Sequence, residues 1–328
     1  MHTRFTELVG CEVPIQLAPM GAICTPELVA SVTKAGAMGM TAMPMAPAEA
    51  VVQMLDGMDA AASGPIGFNV LMPFLDVDVV DAAAQRCRLV DFYHGDPDPA
   101  LVERVHEHGA LAGWQVGSVD DATRAADTGC DLLVVRGTEG GGRMYGSRSL
   151  WPLLVEVLDA VEVPVVAAGG IAEGRGTAAA LAAGAAGVRM GTRFVATPES
   201  GAHPAYKDAI VAASGSGTVL TDAYRVMWPS EDANARVLRS AFDRAQQLPA
   251  DAPVGKLTMG PMTVDIPRFG VPPPTTTAEG EVAAMALYAG ESVAAIDAVE
   301  PAGELVRRIA ADAEFHLRAP AEPETSPR

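Results

Sequence analysis

VPVVAAGGIAEGRGTAAALAAGAAGVRMGTRFVATPES, residues Val163–Ser200, decides the fold. It reads as a buried strand, Val163–Ala168, closing on Gly169–Gly170. A helix follows through Thr177–Ala183, which Gly184 is placed to stop. A second strand, Gly187–Met190, then runs into Gly191–Thr192–Arg193. Two consecutive strand ends that finish in glycine can aim bare backbone N–H groups at one point, because no Cβ blocks the approach of an anion. A lone Gly-Gly pair would read as a tight turn. Its repetition around a helix predicts the phosphate cradle formed by the last two strand–loop units of a (β/α)8 barrel, with Arg193 as a helper. A phosphorylated cofactor is expected.

Working outward, the same alternation runs back to the start of the chain. Strands are predicted at Ile15–Ala18, Ala37–Ala42, Ile66–Val70, Leu89–Tyr93, Ala110–Gln115 and Leu132–Arg136, ahead of the two already described. Helices are predicted between them at Pro26–Ala35, Asp76–Gln85, Ala100–His108, Val119–Thr128 and Leu150–Val161. Eight near-continuous apolar strands argue for a parallel sheet buried on both faces, and eight is the number that closes a TIM barrel. A doubly wound open sheet would carry its phosphate loop near the start; here the best phosphate loops come at units seven and eight. In a barrel the working loops follow the C-terminal strand ends. Asn69 and Gln115 lie at such ends, where an amide can grip a flat heteroaromatic ring or cap the backbone.

After residue 200 the rhythm changes. Helices are predicted at Ala209–Ala213, Ala233–Gln247, Ala283–Leu287 and Pro301–His316, and little regular structure over the Pro/Gly-rich Gly255–Thr277. The expected division is a barrel over 1–200, a C-terminal helical cap or lid over 201–318, and a disordered tail over 319–328.

Composition limits the partners. Of 328 residues, 23 are Lys or Arg and 41 are Asp or Glu, giving a formal net charge of −18 with no basic cluster. Nucleic acid and anionic membrane are thereby excluded as expected partners. Cys11, Cys24, Cys87 and Cys130 form no CxxC pair, so neither a structural metal nor a disulfide framework is expected. The start of the chain lacks an apolar signal core and no apolar run is long enough to span a bilayer, which points to the cytoplasm. Nothing isolates a subunit interface, and a homo-oligomer stays open.

Several segments now come together. Ala18–Pro19–Met20, Gly67–Phe68–Asn69–Val70, the Glu139–Gly146 loop, Ala168–Gly169–Gly170–Ile171, Met190–Gly191–Thr192–Arg193–Phe194 and Glu199–Ser200 occur in this order. In them the chain resembles the nitronate monooxygenase family, formerly called 2-nitropropane dioxygenase and related to flavin-dependent enoyl-acyl-carrier-protein reductases. The resemblance runs from about Pro14 to Ile210, with weaker echoes at Tyr288–Gly290 and Pro301–Val306. It implies an FMN-binding barrel. Carried over by position, Ala18, Pro19, Met20 and Gly21 would lie against the isoalloxazine ring. Asn69 and Gln115 would hydrogen-bond the flavin, Gly169, Gly170, Gly191 and Thr192 would hold its phosphate, and Asp131 would stand near the ribityl chain or support the loop.

One departure matters. The family's loop after the sixth strand usually reads Glu-Ala-Gly-Gly-His-x-Gly, whereas here it is Glu139-Gly-Gly-Gly-Arg143-Met-Tyr145-Gly146. Arg143 stands where the resemblance places a catalytic histidine that removes a proton beside a nitro group. Arginine stays charged throughout the working range and cannot be that base. Three readings follow. The expected function is the first: a small nitronate, already deprotonated, or another activated anionic substrate is oxidised with molecular oxygen, and Arg143 pairs with the nitronate oxygens or a substrate carboxylate. A reductase carries hydride from NAD(P)H to an activated double bond, Arg143 polarising a carbonyl and Tyr145 donating a proton. Or the chain binds flavin without chemistry. Arg143 could also simply face solvent. His94, after the fourth strand, is at the correct barrel end to replace the missing imidazole or only to shape its loop. His203 reads as structural, His106 and His108 as solvated, and Tyr224, Met227 and Trp228 as lid or cap core.

Overall fold

The computed structural model describes residues 1–260 and 262–318; the expected disordered tail, 319–328, lies outside them. Eight strands form one parallel sheet: β1 (Ile15–Leu17), β2 (Gly39–Thr41), β3 (Ile66–Leu71), β4 (Leu89–Tyr93), β5 (Leu111–Val116), β6 (Leu132–Arg136), β8 (Val165–Ala168) and β9 (Gly187–Met190). A two-residue strand, β7 (Gly142–Arg143), stands outside this sheet in the loop after β6. The sheet order is β1-β9-β8-β6-β5-β4-β3-β2, and a parallel bridge between Gln16 and Met38 joins its ends. This is the (β/α)8 barrel, with all eight predicted strands within two or three residues of their expected ends.

Strand alternation divides the core in two. Outward residues such as Leu17, Phe68, Phe92, Trp114, Val135 and Val188 pack under the surrounding helices. Inward residues Met38, Met40, Leu89, Leu132, Val134 and Val166 fill the lower lumen together with Phe5 and Val9. Those two come from the helix Arg4–Val9, and the Phe5 ring closes on Gly187, where an added Cβ would lie 3.1 Å from it. The N-terminal end of the barrel is therefore plugged by apolar side chains. The C-terminal end is left for the site.

The segment after β9 is less helical than its composition suggests. β10 (Thr218–Thr221) pairs antiparallel with β11 (Ala235–Leu238), and β11 pairs with β7 through Ala235–Arg143 and Arg236–Gly142. The helix expected over Ala233–Gln247 is thus a strand followed by a helix, Arg239–Gln246. The region expected to be irregular holds β12 (Pro253–Met259) and β13 (Met262–Pro267), and β14 (Ala278–Gly280) adds to β12. Pro253 and Pro267 stand at strand ends, Gly255 at a register shift in β12 and Gly260 at the turn with φ +57°, so these residues do not break the strands. The segment expected as helix over Ala283–Leu287 is a 3-10 turn, Val282–Ala284.

The last helix, Ala302–Arg318, packs against the helices Gly174–Ala182 and Pro26–Lys34, taking the eighth place in the outer ring. Glu199 fixes its start, accepting from the backbone N–H of Ala302 at 3.0 Å and from Ser31 Oγ at 3.0 Å. No helix among the described residues is long and apolar enough to cross a membrane.

Candidate active site

Three groups of residues meet at the open end of the barrel. The first is the glycine cradle. Gly169 and Gly170 follow β8 with φ of +110° and +70°, backbone that side chains rarely adopt. A Cβ on Gly169 would lie 3.1 Å from the Gly137 carbonyl oxygen, and one on Gly191 would lie 3.2 Å from Ala18 Cβ and 3.4 Å from Met20 Sδ. Among the described residues the N–H groups of Gly169, Gly170, Gly191 and Thr192 donate to no protein acceptor. Free donors on two adjacent strand ends, with no side chain in front of them, suit a phosphate. Thr192 Oγ1 also accepts from Gly290 N at 2.9 Å, tying the cradle to the cap. Arg193 does not join: its Nη1 donates to the Ala298 carbonyl at 3.1 Å and its Nη2 to Glu300.

The second group is a polar layer inside the barrel, above the apolar plug. Arg189 on β9 is 4% exposed and Asp91 on β4 is 0% exposed; they form an ion pair across the lumen. Arg189 also donates to Gln16 Oε1 at 2.8 Å and to Gln115 Oε1 at 3.1 Å, and Asn69 Nδ2 donates to Asp91 Oδ1 at 2.8 Å. Asn69 and Gln115, both singled out from sequence, are thus brought together. The Asp91–Arg189 pair beneath them was missed. Its signal was present: a carboxylate inside LVDFY and a guanidinium inside GVRM, both at inward positions, must find opposite charge.

The third group is a wall at the mouth. His94 has φ +70°, is 5% exposed, and its Nε2 is buried without a partner. Its ring lies 5.3 Å from Tyr145, 5.0 Å from Trp228 and 5.5 Å from Tyr93, with Phe74 edge-on behind Trp228. Burial, foremost, holds the imidazole below its ordinary pKa; the Arg143 charge adds to this and Asp232 opposes it. His94 is therefore neutral at neutral pH. Burial also pushes the Tyr145 phenol up, so it keeps its proton. Tyr145 is positioned through its backbone N–H, which donates to Tyr93 Oη at 2.8 Å.

Arg143 is part of this wall and not a solvent-facing residue. At 9% exposure it donates to the carbonyls of Ala233, at 2.8 Å, and Tyr224, and to Tyr288 Oη at 3.0 Å. Its guanidinium lies 4.7 Å over the Trp228 ring. The side chain is committed to the cap. Asp131 is a correction of another kind. It precedes β6 at the N-terminal face of the barrel, where its carboxylate accepts from Ala112 N and pairs with His106, each at 2.8 Å. The far end of a strand is the wrong place for a cofactor contact. His203 caps the helix Pro204–Val211 through Ala205 N, and His108 pairs with Asp81. Among the described residues no group of three or more His, Cys, Asp or Glu side chains could hold a metal ion.

A parallel barrel with free backbone donors on its last two strand ends and amides at its mouth has the form of a site for a phosphorylated cofactor. The nitronate monooxygenase family matches residues 2–85 and 76–312, and the chain belongs to it. A curated relative from Mycobacterium tuberculosis, "(3aS,4S,5R,7aS)-5-hydroxy-7a-methyl-1-oxo-octahydro-1H-indene-4-carboxyl-CoA dehydrogenase", is 36% identical over 67% of this chain and 63% of its own. The matches to the first three such relatives span between 57% and 63% of their lengths. Among solved structures, FabK from Thermotoga maritima superposes with a TM-score of 0.79 at 29% identity, covering 97% of both chains. Nitroalkane oxidase from Streptomyces ansochromogenes gives 0.76 at 28%, covering 96% of this chain and 99% of that one.

Proposed function

We propose that this chain is an FMN-dependent reductase moving hydride from NAD(P)H to a double bond conjugated to a carbonyl, as in an enoyl or enone substrate. The observation that carries this reading is the state of Arg143. It replaces the base that nitroalkane oxidation would need, and both hydrogens of its Nη2 are taken by Tyr224 and Tyr288 while Nη1 donates to Ala233, so no paired fork that includes Nη2 is left for nitronate oxygens. What remains at the mouth is neutral: an unpartnered imidazole and a protonated phenol. Neutral groups suit a substrate whose reaction adds a hydride at one carbon and a proton at the next.

When bound, FMN supplies reversible uptake and release of hydride. Gly169, Gly170, Gly191 and Thr192 would hold its phosphate and Asn69 and Gln115 its ring. The protonated Tyr145 phenol would supply the proton to the α-carbon, and the neutral His94, through Nε2–H, would donate a hydrogen bond to the substrate carbonyl. Phe74, Trp228 and Tyr93 back the imidazole with apolar surface and keep water from it. The likeness to FabK and to a CoA-thioester dehydrogenase supports the same choice.

Oxidation of a nitronate with oxygen is the second reading, favoured by the likeness to nitroalkane oxidase and by its needing no base. The test is the flavin band of the purified protein without oxygen. Bleaching by NADPH or NADH, followed by recovery on adding a 2-enoyl thioester or an enone, is expected. A band untouched by either nucleotide but bleached by a nitronate would replace the first reading with the second.

A further inference from the structure

The polar layer inside the barrel has a property that follows from charge type alone. Arg189 donates to Gln16 Oε1 at 2.8 Å, to Gln115 Oε1 at 3.1 Å and to Asp91 Oδ2. Asn69 Nδ2 donates to Asp91 Oδ1 at 2.8 Å and to the Asp91 carbonyl at 3.3 Å. A carboxylate has only acceptors and a guanidinium only donors. Asn69 must therefore turn its NH2 toward Asp91, which leaves its Oδ1. Gln115 must turn its carbonyl oxygen toward Arg189, which leaves its NH2. Among the described residues neither remaining atom has a protein partner, and neither is sealed from solvent.

We propose that the Asp91–Arg189 pair sets the polarity of the two amides, so that the site presents one acceptor, Asn69 Oδ1, and one donor, Gln115 Nε2, to the pyrimidine edge of the flavin. That edge alternates oxygen, N3–H, oxygen, and needs both kinds of partner. Asn69 Oδ1 accepts from N3–H and Gln115 Nε2 donates to a neighbouring oxygen. Asp91 and Arg189 are positioning residues, acting on flavin through the amides. The inference rests on the flavin reading above.

The test titrates the deflavinated chain with FMN and with 3-methyl-FMN, which lacks the N3–H. The wild-type chain should prefer FMN by about tenfold or more, the size of one well-made hydrogen bond. Asp91→Asn frees Asn69 to turn either way, and the preference should fall toward parity. Gln115→Glu keeps an acceptor on Arg189, and so the fold, but removes the donor. FMN affinity should then drop about tenfold while the preference over 3-methyl-FMN stays. Equal wild-type binding of the two flavins, full preference in a folded Asp91→Asn chain, or unchanged FMN affinity in Gln115→Glu would each overturn the inference. A wild-type chain that binds neither flavin would instead overturn the flavin reading beneath it.

Discussion

Arg189 and Arg143 are both buried and both richly hydrogen-bonded, yet they belong to regions built on different terms. The partners of Arg189 are side chains on barrel strands, whose places are set by closure of the sheet. Those of Arg143 are mainly backbone carbonyls of the cap, reached because β7 is stitched to β11. The strand layer is rigid and charged, and removing one member strands another. The wall is assembled from loops, where a residue can be exchanged with little effect on the barrel. A change of reaction within such a fold therefore belongs to the wall, and retention of the cofactor to the layer.

The largest effect should come from breaking the layer. Arg189→Met leaves Asp91 buried without a counterion, and urea unfolding should show a loss of about 3–5 kcal/mol. Adding Asp91→Leu removes the lone charge, so the double variant should be more stable than the single one. A single variant costing under about 1 kcal/mol would mean that the pair contributes no more than an exposed one.

His94→Asn strikes the wall instead. Asparagine tolerates the left-handed backbone at this position, so the melting temperature should barely move, while turnover falls by about 10²–10⁴. Turnover within threefold of wild type would remove His94 from the reaction. Arg143→Met should be gentler on activity and felt in the cap. Loss of its bonds to Ala233, Tyr224 and Tyr288 should cost about 1–3 kcal/mol and hasten proteolytic cutting between residues 222 and 234.

The smallest effect is in pH. The pKa of His94 is lowered on folding, so the unfolded chain takes up its proton first as pH falls. Stability present above the unfolded value, about 6.5, is lost as pH drops toward the folded value. His94→Asn should flatten that part of the stability–pH curve, and an unchanged slope would show that the imidazole is not shielded.

Much of this architecture was legible in the chain itself. Eight apolar runs with glycine at the last two ends were enough to predict the barrel, because parallel strands buried on both faces show as continuous apolar stretches. Asn69 and Gln115 were found because amides stand out at strand ends. Asp91 and Arg189 were not, because each is a single charge inside a strand, and the partner of an inward residue is known only once the barrel is closed. Asp131 opens the sixth strand, and its place on the face opposite the mouth, bonded to Ala112 and His106, leaves it a supporting role and not a contact with the ribityl chain. In the cap, the alternation of β12 and β13 was hidden by the Pro and Gly residues that bound it.

The eighth helix of the ring, Ala302–Arg318, comes long after β9 has ended at Met190. A ribosome adding 5–20 residues per second takes on the order of ten seconds to make the stretch from one to the other. During that interval all eight strands have been synthesised, but the seam between Pro26–Lys34 and Gly174–Ala182 still lacks the Leu305, Val306 and Ile309 side chains that will cover it. Birth of this barrel is thus a race between closing the sheet and shielding an open apolar cleft.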